Sequence, residues 1–319
     1  MSLGEFDLIA KYFTRTVTRA ALGVGDDCAL FAPAPGMQLA VSSDMLVEGR
    51  HFLPTVAPDR LGHKALAVNL SDLAACGAKP VAFTLALAMP RVDEVFLEGF
   101  ARGLLALADA HDCELIGGDT TQGPLNLCIT VFGEVPQGAA LLRSGAQPGD
   151  ELYVSGTLGD ARLALEVFRG SVALAGDAFD QVRIAMERPQ PRVALGLALR
   201  GIATSAIDVS DGLLGDLAHV LRRSKVGAAV EADALPRSAV LAALPEAMQR
   251  RCTLSGGDDY ELVFTAPPAR AAQVAAAARS AQVAVTKIGR ISAETGLRLI
   301  DRDGRALDNT FGSFDHFKS

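Results

Sequence analysis

The sequence holds few of the residues that bind soft metal ions or build disulfide frameworks. Its five cysteines are scattered and form no C-x-x-C pair: Cys28, Cys76, Cys113, Cys128 and Cys252. The five histidines form no H-E-x-x-H motif, and no two of them are spaced by four residues. These absences argue against a zinc site and against structural disulfides, and they predict a reducing, cytoplasmic environment.

Positive charge is also scarce. The 319 residues include 30 Lys and Arg against 37 Asp and Glu, which gives a formal net charge of -7 at pH 7. A chain of this charge is not expected to bind nucleic acid through its phosphate backbone. It can still bind smaller phosphate compounds when Mg²⁺ ions lie between the acidic side chains and the phosphates.

Long uninterrupted apolar runs are absent. The most apolar region, residues 65–89, is broken by several polar side chains and by Pro80, so no transmembrane helix is expected. The first residues, Met1 to Asp7, carry acids early and have no long apolar core, so they do not resemble a secretory signal peptide.

Two common nucleotide-binding motifs are missing. There is no G-x-x-x-x-G-K-[ST] phosphate loop, and no G-x-G-x-x-G segment follows a predicted strand and opens a helix. The sequence therefore does not support a P-loop enzyme or a dinucleotide-binding fold.

The most informative segment that is present is a helix predicted to begin at Pro58 and to end before Gly77. Its apolar residues extend nearly all round, which predicts a buried helix. One of its stripes carries polar side chains: Ala65, Asn69, Asp72 and Cys76. From this segment alone, two interpretations of Asp72 stay open. Either that side of the helix faces solvent, or a buried carboxylate is held by a metal, a cation or several donors.

Other carboxylates occur in a shared context, after predicted strands or beside Gly, Ser and Thr. The set is Asp27, Asp44, Asp72, Asp119, the pair Asp208 and Asp211, and the pair Asp258 and Asp259. We expect a strand over Gln38 to Ser42 that ends in Ser42-Ser43-Asp44, and a short strand over Cys113 to Ile116 that runs into Gly117-Gly118-Asp119. Carboxylate and hydroxyl oxygens are hard ligands, so the set predicts a site for several Mg²⁺ ions that bridge to substrate phosphates.

The order of elements mixes hairpins with helical crossovers, which favours an α+β architecture. The composition changes to Gly, Ala, Gln and Pro over residues 138–150, and this predicts a boundary between an N-terminal domain, 1–137, and a C-terminal domain, 148–319. Residues 171–180 are predicted to be a linker.

Two further residues have two interpretations each. His51 follows the Ser42-Ser43-Asp44 segment closely, so it either contacts substrate or belongs to a structural loop. Arg143 is either a solvated charge or a bidentate partner of nucleotide phosphates.

Taken together, these motifs resemble the thiamine-monophosphate kinase family. The resemblance covers nearly the whole chain, and its segments occur in the family's order: Gly25-Asp26-Asp27, residues 42–52, 64–78, 117–121, 143–146, 208–213 and 258–262, and Phe314-Asp315-His316-Phe317. The resemblance implies a two-domain fold of the aminoimidazole-ribonucleotide-synthetase type. In that fold the N-terminal domains, which bind ATP and Mg²⁺, pair across a homodimer to close a β-barrel.

The resemblance also implies an activity and residue roles. The activity is transfer of the γ-phosphoryl group of ATP to thiamine monophosphate, which gives thiamine diphosphate, with no dedicated protein base. The implied Mg²⁺ ligands are Asp27, Ser42, Ser43, Asp44, Asp72, Asp119, Asp208 and Asp211. The implied ATP contacts are Gly118, Asp119, Arg143 and Ser210, and the implied substrate contacts are His51, Asp258 and Phe314. The family commonly has Glu at the position of Asp258 and often Thr at that of Ser42 or Ser43.

Three other functions compete with this one. A related synthetase or dehydratase of the same superfamily is one, although a selenophosphate synthetase needs a reactive Cys that residues 1–24 lack. A metal-dependent phosphohydrolase would use the same acids to activate water. A non-catalytic metal or nucleotide sensor would show no turnover.

Overall fold

The computed structural model describes residues 4–308, and they form two compact units. Unit 1 contains the described residues up to Leu73 together with Ala78–Gly138. Unit 2 contains Ala74–Gly77 and the described residues from Ala139 onward. The chain passes into unit 2 for good after Gly138, at the start of the Gly- and Pro-containing segment 138–150.

Unit 1 combines three helices with one sheet. Its elements are α1 (Glu5–Tyr12), β1 (Met37–Val47), α2 (Pro58–Ala75), β2 (Lys79–Met89), α3 (Glu94–Ala110), β3 (Glu114–Gln122) and β4 (Asn126–Pro136). The strands lie in the order β1-β4-β2-β3. The pairs β1–β4 and β4–β2 are antiparallel, whereas β2 and β3, which α3 connects, are parallel.

Helix α2 confirms the prediction of a buried helix. Leu66, Leu70 and Leu73 are at most 1% exposed, so the predicted leucine stripe lies in the core. From Leu61 to Ala75 every residue is buried except Asp72, which is half-buried. The one carboxylate of this stretch therefore lies at the edge of the core.

The predicted ends of two strands in unit 1 are wrong. β1 continues through Ser42, Ser43 and Asp44 to Val47, and all its residues pair with β4. β3 continues through Gly118 and Asp119 to Gln122. Polar side chains are tolerated inside these strands because successive residues point to opposite faces, and one face of each strand lies outside the core. The apolar run Cys28 to Phe31 forms only an isolated bridge, between Leu22 and Leu30.

Unit 2 is built on a larger sheet flanked by helices. Its strands are β5 (Glu151–Ser155), β6 (Ser205–Asp208), β7 (Gly227–Glu231), β8 (Leu262–Ala266), β9 (Val285–Ser292), β10 (Gly296–Ile300) and β11 (Ala306–Leu307). Its α-helices are α4 (Asp160–Phe168), α5 (Gly176–Glu187), α6 (Val193–Leu199), α7 (Leu213–Ser224), α8 (Ala239–Ala242), α9 (Glu246–Ser255) and α10 (Ala271–Ser280). The described strands lie in the order β11-β10-β7-β9-β5-β8-β6. Among these described strands, only β10 and β7 are parallel neighbours.

The linker predicted over residues 171–180 is wrong in its second half, because α5 begins at Gly176. The helical signal lies after Asp180, where Val182 and Met186 pack with Leu163 of α4. The sequence pattern does not predict the short strands β7 and β10 or the helices α8 and α9. Five-residue strands such as β7 and β10 are too short to show a clear period of two.

None of the helices within residues 4–308 is long and apolar enough to span a membrane.

Candidate functional site

Asp72 lies where α2 meets β1. The hydroxyl of Ser42 on β1 donates a hydrogen bond to the Asp72 carboxylate. One turn earlier on α2, Asn69 accepts the backbone N–H of Asp44 at 3.1 Å and donates to the carbonyl of Ala65 at 3.0 Å. The polar stripe predicted for α2 therefore contacts the β1 segment that carries Ser42 and Asp44.

The two adjacent serines of β1 are on opposite faces of the sheet. Ser42 and Asp44 share the face toward α2, because residues two apart in a strand point the same way. Ser43 instead lies beside its cross-strand partner Thr130, with 2.9 Å between the two hydroxyl oxygens. It also donates to the carbonyl of Ile129 at 3.2 Å. The structure thus brings Ser42 to Asp72 and places the Ser43 side chain on the other face.

A cleft of about 700 Å³ in unit 1 brings together three more of the predicted residues. Asp27, Gly118 and Asp119 line it, together with the apolar side chains of Ile9 in α1 and of Phe13 directly after α1. All three predicted residues are exposed. The cleft therefore offers carboxylates at one wall and an apolar surface at another.

Gly118 has a packing reason to be glycine. Its φ is +150°, and an added Cβ would lie 1.9 Å from the carbonyl oxygen of Leu85 on the neighbouring strand β2. A side chain cannot be accommodated at this close approach between strands. The packing of β3 against β2 is therefore enough to explain a glycine at this position, whether or not a phosphate also approaches it.

Asp26 shapes the turn that carries Asp27. Its carboxylate accepts the backbone N–H of Asp27 at 2.9 Å, a contact typical of aspartate in turns. Asp27 itself is exposed at the cleft.

His51 has a structural contact within its own loop. Its Nδ1 accepts the backbone N–H of Val47 at 3.0 Å. Its carbonyl accepts the ammonium of Lys64 at 3.2 Å. Lys64 is almost completely buried in α2, where an ammonium group requires such partners. The contacts favour the structural interpretation of His51, and its role toward substrate stays a prediction.

In unit 2 the predicted acids follow the end of β6. Asp208 ends the strand and is buried, and Ser210 and Asp211 lie in the loop that leads to α7. Asp216 of α7 accepts the backbone N–H groups of Ser210, Asp211 and Gly212. Burial raises the pKa of Asp216 to about 7, against the lowering effect of these donors. The sequence pattern did not single out Asp216, although this residue stands four positions after the Asp211-Gly212 pair.

Asp258 lies in a loop with an unusual backbone. Asp258 and Tyr260 both have a positive backbone φ, at +66° and +51°, a conformation that residues other than glycine rarely adopt. The Tyr260 hydroxyl donates to the Asp258 carboxylate at 3.0 Å. Between them, Asp259 accepts the N–H of Gly159 with both oxygens, at 2.9 and 3.0 Å, while burial raises its pKa. Asp259 therefore shapes the loop, and Asp258 is held by Tyr260.

Arg143 and Asp211 both influence the pKa of the His219 imidazole. Partial burial lowers the pKa of His219, and the cations Arg143 and Arg222 lower it further, while Asp211 opposes them. Arg143 is exposed, and its carbonyl accepts the hydroxyl of Ser224 at 3.1 Å. The predicted phosphate contact and a predicted metal ligand thus lie close to the same side chain of α7.

Across residues 4–308, no three His, Cys, Asp or Glu side chains approach closely enough to hold a metal ion. The predicted ligands of unit 1 lie at the Asp72–Ser42 contact, at the neighbouring positions of β1 and in the cleft. Those of unit 2 lie at the end of β6 and in the loop after it. Phe314 lies outside the residues that the structure describes.

Two domain models match this chain. The N-terminal domain of AIR synthase related proteins matches residues 25–135, and the C-terminal domain of the same proteins matches residues 147–302.

Individual relatives are similar over almost the full length. The thiamine-monophosphate kinase of Salmonella typhimurium is 46% identical over 323 residues, which cover 99% of each chain. A crystal structure of thiamine-monophosphate kinase from Stenotrophomonas maltophilia K279a is 45% identical. It has a TM-score of 0.86 and covers 96% of this chain and 99% of that one. A structure described as AaThiL complexed with AMPPCP and TMP is 28% identical, with a TM-score of 0.78 and coverage of 90% and 89%. The chain therefore belongs to the thiamine-monophosphate kinase family, within the AIR synthase related proteins.

Proposed function

We propose that this protein transfers the γ-phosphoryl group of ATP to thiamine monophosphate, giving thiamine diphosphate and ADP. The observation that carries the proposal is the 46% identity to a thiamine-monophosphate kinase over 99% of both chains. The complex of a relative with AMPPCP, an ATP analogue, and TMP supports the pairing of the two substrates.

The donor set of unit 1 fits Mg²⁺. Carboxylate and hydroxyl oxygens are the ligands that Mg²⁺ prefers, and Ser42 and Asp72 already present one of each in contact. The residues that would hold the ions here are Asp27, Ser42, Asp44, Asp72 and Asp119. When bound, Mg²⁺ neutralises the charge of the phosphates and helps to align them for in-line transfer.

Ser43 enters this ligand set in a different way from Ser42. Its hydroxyl is engaged with Thr130 on the face away from Asp72, so any contribution to the Asp72 group comes from its backbone. In unit 2, Asp208 and Asp211 are the proposed ligands at the end of β6.

The chain's own residues bind and orient the substrates. We assign ATP contacts to Gly118 and Asp119 in the cleft of unit 1, where the apolar wall of α1 suits a base. Arg143 and Ser210 are the proposed ATP contacts of unit 2. His51, Asp258 and Phe314 are the proposed contacts for thiamine monophosphate, and Asp258 suits the cationic thiazolium ring.

A homodimer that closes a barrel is also part of the proposal. β1 is an edge strand of its sheet, and four apolar side chains project from its outer face, where Met37, Leu39, Val41 and Met45 are 37–58% exposed. An apolar edge strand favours pairing with a second copy of the chain.

The test is an assay of purified protein with ATP and thiamine monophosphate, with Mg²⁺ and with excess EDTA. We expect thiamine diphosphate and ADP in equal amounts with Mg²⁺, and no product in EDTA. Release of inorganic phosphate without thiamine diphosphate would instead identify the phosphohydrolase. Full activity in EDTA would refute the role of Mg²⁺.

A further inference from the structure

The loop between β6 and α7 carries two residues of the proposed site, Ser210 and Asp211. The helix α7, which follows this loop, does not begin with the usual capping side chain. A helix normally begins at a Ser, Thr, Asp or Asn whose side chain accepts a backbone N–H of the first turn. The residue at this position is Gly212, with φ of +115°. An added Cβ would lie 2.9 Å from the carbonyl carbon of Ser255. No capping side chain fits there.

Asp216, in the first turns of α7, instead holds the three residues that lead into the helix. One of its carboxylate oxygens accepts the N–H of Ser210 at 3.0 Å and those of Asp211 and Gly212 at 3.1 Å each. The side chain is 5% exposed, so water does not replace it easily. Three consecutive peptide groups are thus held by one buried oxygen.

The same loop holds the segment that carries Asp258. The N–H of Asp258 donates to the carbonyl of Ser210 at 2.8 Å, and the N–H of Tyr260 donates to that of Val209 at 2.8 Å. Val209 in turn donates to the carbonyl of Glu261 at 2.8 Å, so the pairing of β6 with β8 continues beyond both strands. Ser210 therefore donates its N–H to the Asp216 carboxylate and accepts the N–H of Asp258 with its carbonyl oxygen.

We infer that Asp216 is a positioning residue, which sets the loop of Ser210 and Asp211 and, through the Ser210 carbonyl, the loop of Asp258. The inference rests on the proposed function, because it takes these residues as contacts for ATP, metal and thiamine monophosphate. A displacement of about 1 Å in such groups is enough to reduce turnover about 100-fold.

The experiment compares Asp216→Ala and Asp216→Asn with a matched control, Asp150→Ala. Asp150 is also a buried aspartate of unit 2 that accepts a backbone N–H, from Gln147 at 3.0 Å, and the hydroxyl of Thr204 at 2.6 Å. It contacts none of the proposed site residues through these bonds. Steady-state kinetics for both substrates and hydrogen–deuterium exchange are measured on each variant.

We expect Asp216→Ala to lower kcat/KM about 100-fold for both substrates and to speed amide exchange at residues 209–212 and 257–260. In Asp216→Asn the amide oxygen is a weaker acceptor, so kcat/KM should fall less than tenfold and exchange should rise less. Asp150→Ala should lose stability while its kinetics and its exchange at these two loops stay as in the wild type. Tyr260→Phe should raise KM for thiamine monophosphate and leave KM for ATP unchanged, because it removes the hydrogen bond from the Tyr260 hydroxyl to Asp258.

Unchanged kinetics and exchange in Asp216→Ala would overturn the inference, as would equal effects in Asp150→Ala. If Asp216→Ala does not fold, Asp216→Asn decides, and wild-type values in both measurements overturn it. If the wild type makes no thiamine diphosphate, the proposed function fails. The exchange data then still show whether Asp216 holds the two loops.

Discussion

At the scale of single residues, the side that a residue faces matters as much as its chemistry. Ser42 and Ser43 have the same hydroxyl group and adjacent positions. Strand alternation sends the first to Asp72 and the second to Thr130. A ligand prediction made from residue type alone treats the two as equivalent, whereas the strand makes them different.

Substitution of Asp72→Asn should separate stability from activity. The asparagine oxygen can still accept the Ser42 hydroxyl, so the free energy of unfolding in EDTA should stay within about 1 kcal/mol of the wild type. Activity should fall at least about 100-fold, because a negative Mg²⁺ ligand is lost.

Urea melts in EDTA and initial rates with Mg²⁺ provide the measurement. Glu98→Gln, which removes an exposed carboxylate from α3, is the control and should leave both quantities unchanged. A clear loss of stability in Asp72→Asn would mean that Asp72 is chiefly a structural acceptor.

The Phe314→Ala variant tests the aromatic tail. An aromatic ring can stack on the thiamine rings or contact their positive charge, and a contact of this kind is worth about 1 kcal/mol. KM for thiamine monophosphate should therefore rise roughly fivefold, while KM for ATP stays the same. Equal increases in both constants would contradict the assignment.

At the scale of elements, one carboxylate of β3 holds the segment that leads from α1 to the Asp27 turn. Glu114 accepts the backbone N–H groups of Thr18, Arg19 and Ala20 at 2.6–3.2 Å, and the Thr18 hydroxyl at 2.7 Å. Burial opposes the charged form of Glu114, but these donors outweigh it and lower its pKa below 4.5. The charged carboxylate therefore ties the segment to the sheet.

The hydrogen bonds to the Glu114 carboxylate predict that stability depends on pH in a specific way. Because the folded pKa is lowered, the contribution to stability is present above about pH 4.5 and is lost as the pH falls through the folded value. Glu114→Gln should lower the free energy of unfolding by about 1–2 kcal/mol at pH 7. The difference from the wild type should shrink below pH 4.5, where the wild-type carboxylate becomes protonated.

Urea melts at pH 7 and at several lower values measure this difference. Glu98→Gln again serves as the control, with no change expected at pH 7. A difference between Glu114→Gln and the wild type that grows with acidity would show that the assigned sign is wrong.

At the scale of the whole molecule, the edge strand β1 has a row of exposed apolar side chains. Val41→Asp places a charge in the row of Met37, Leu39, Val41 and Met45, where burial against a second copy would be costly. We expect sedimentation at micromolar concentration to show a dimer for the wild type and a monomer for this variant.

Val95→Asp is the matched control for this test. Val95 is 80% exposed near the start of α3, where an acid is favourable for the helix dipole. This variant should sediment as the wild type does. A monomeric wild type, or a dimeric Val41→Asp, would refute pairing through β1.

Several properties of this protein were determined by the sequence alone. The burial of α2 follows from its continuous apolar composition, and its start and end follow from Pro58 and Gly77, so local chemistry sufficed. The kinase family followed from the order and content of short motifs, which need no coordinates, and the comparisons confirmed it. The helix begun by Gly176 escaped prediction because its first turn has no apolar periodicity.

Only the tertiary structure decided which of the predicted residues meet. The extension of β1 through Ser42 to Val47 depends on pairing with β4, a partner about 90 residues distant in the chain. The roles of Asp216 and Tyr260 depend on how a loop folds back on a helix or on itself. Hydrogen bonds between segments carry no periodic signal in the sequence, because their partners are set by sheet register and helix packing. Residue type determined which chemistry this chain can perform, and the packing of strands and helices determined which atoms are in place to perform it.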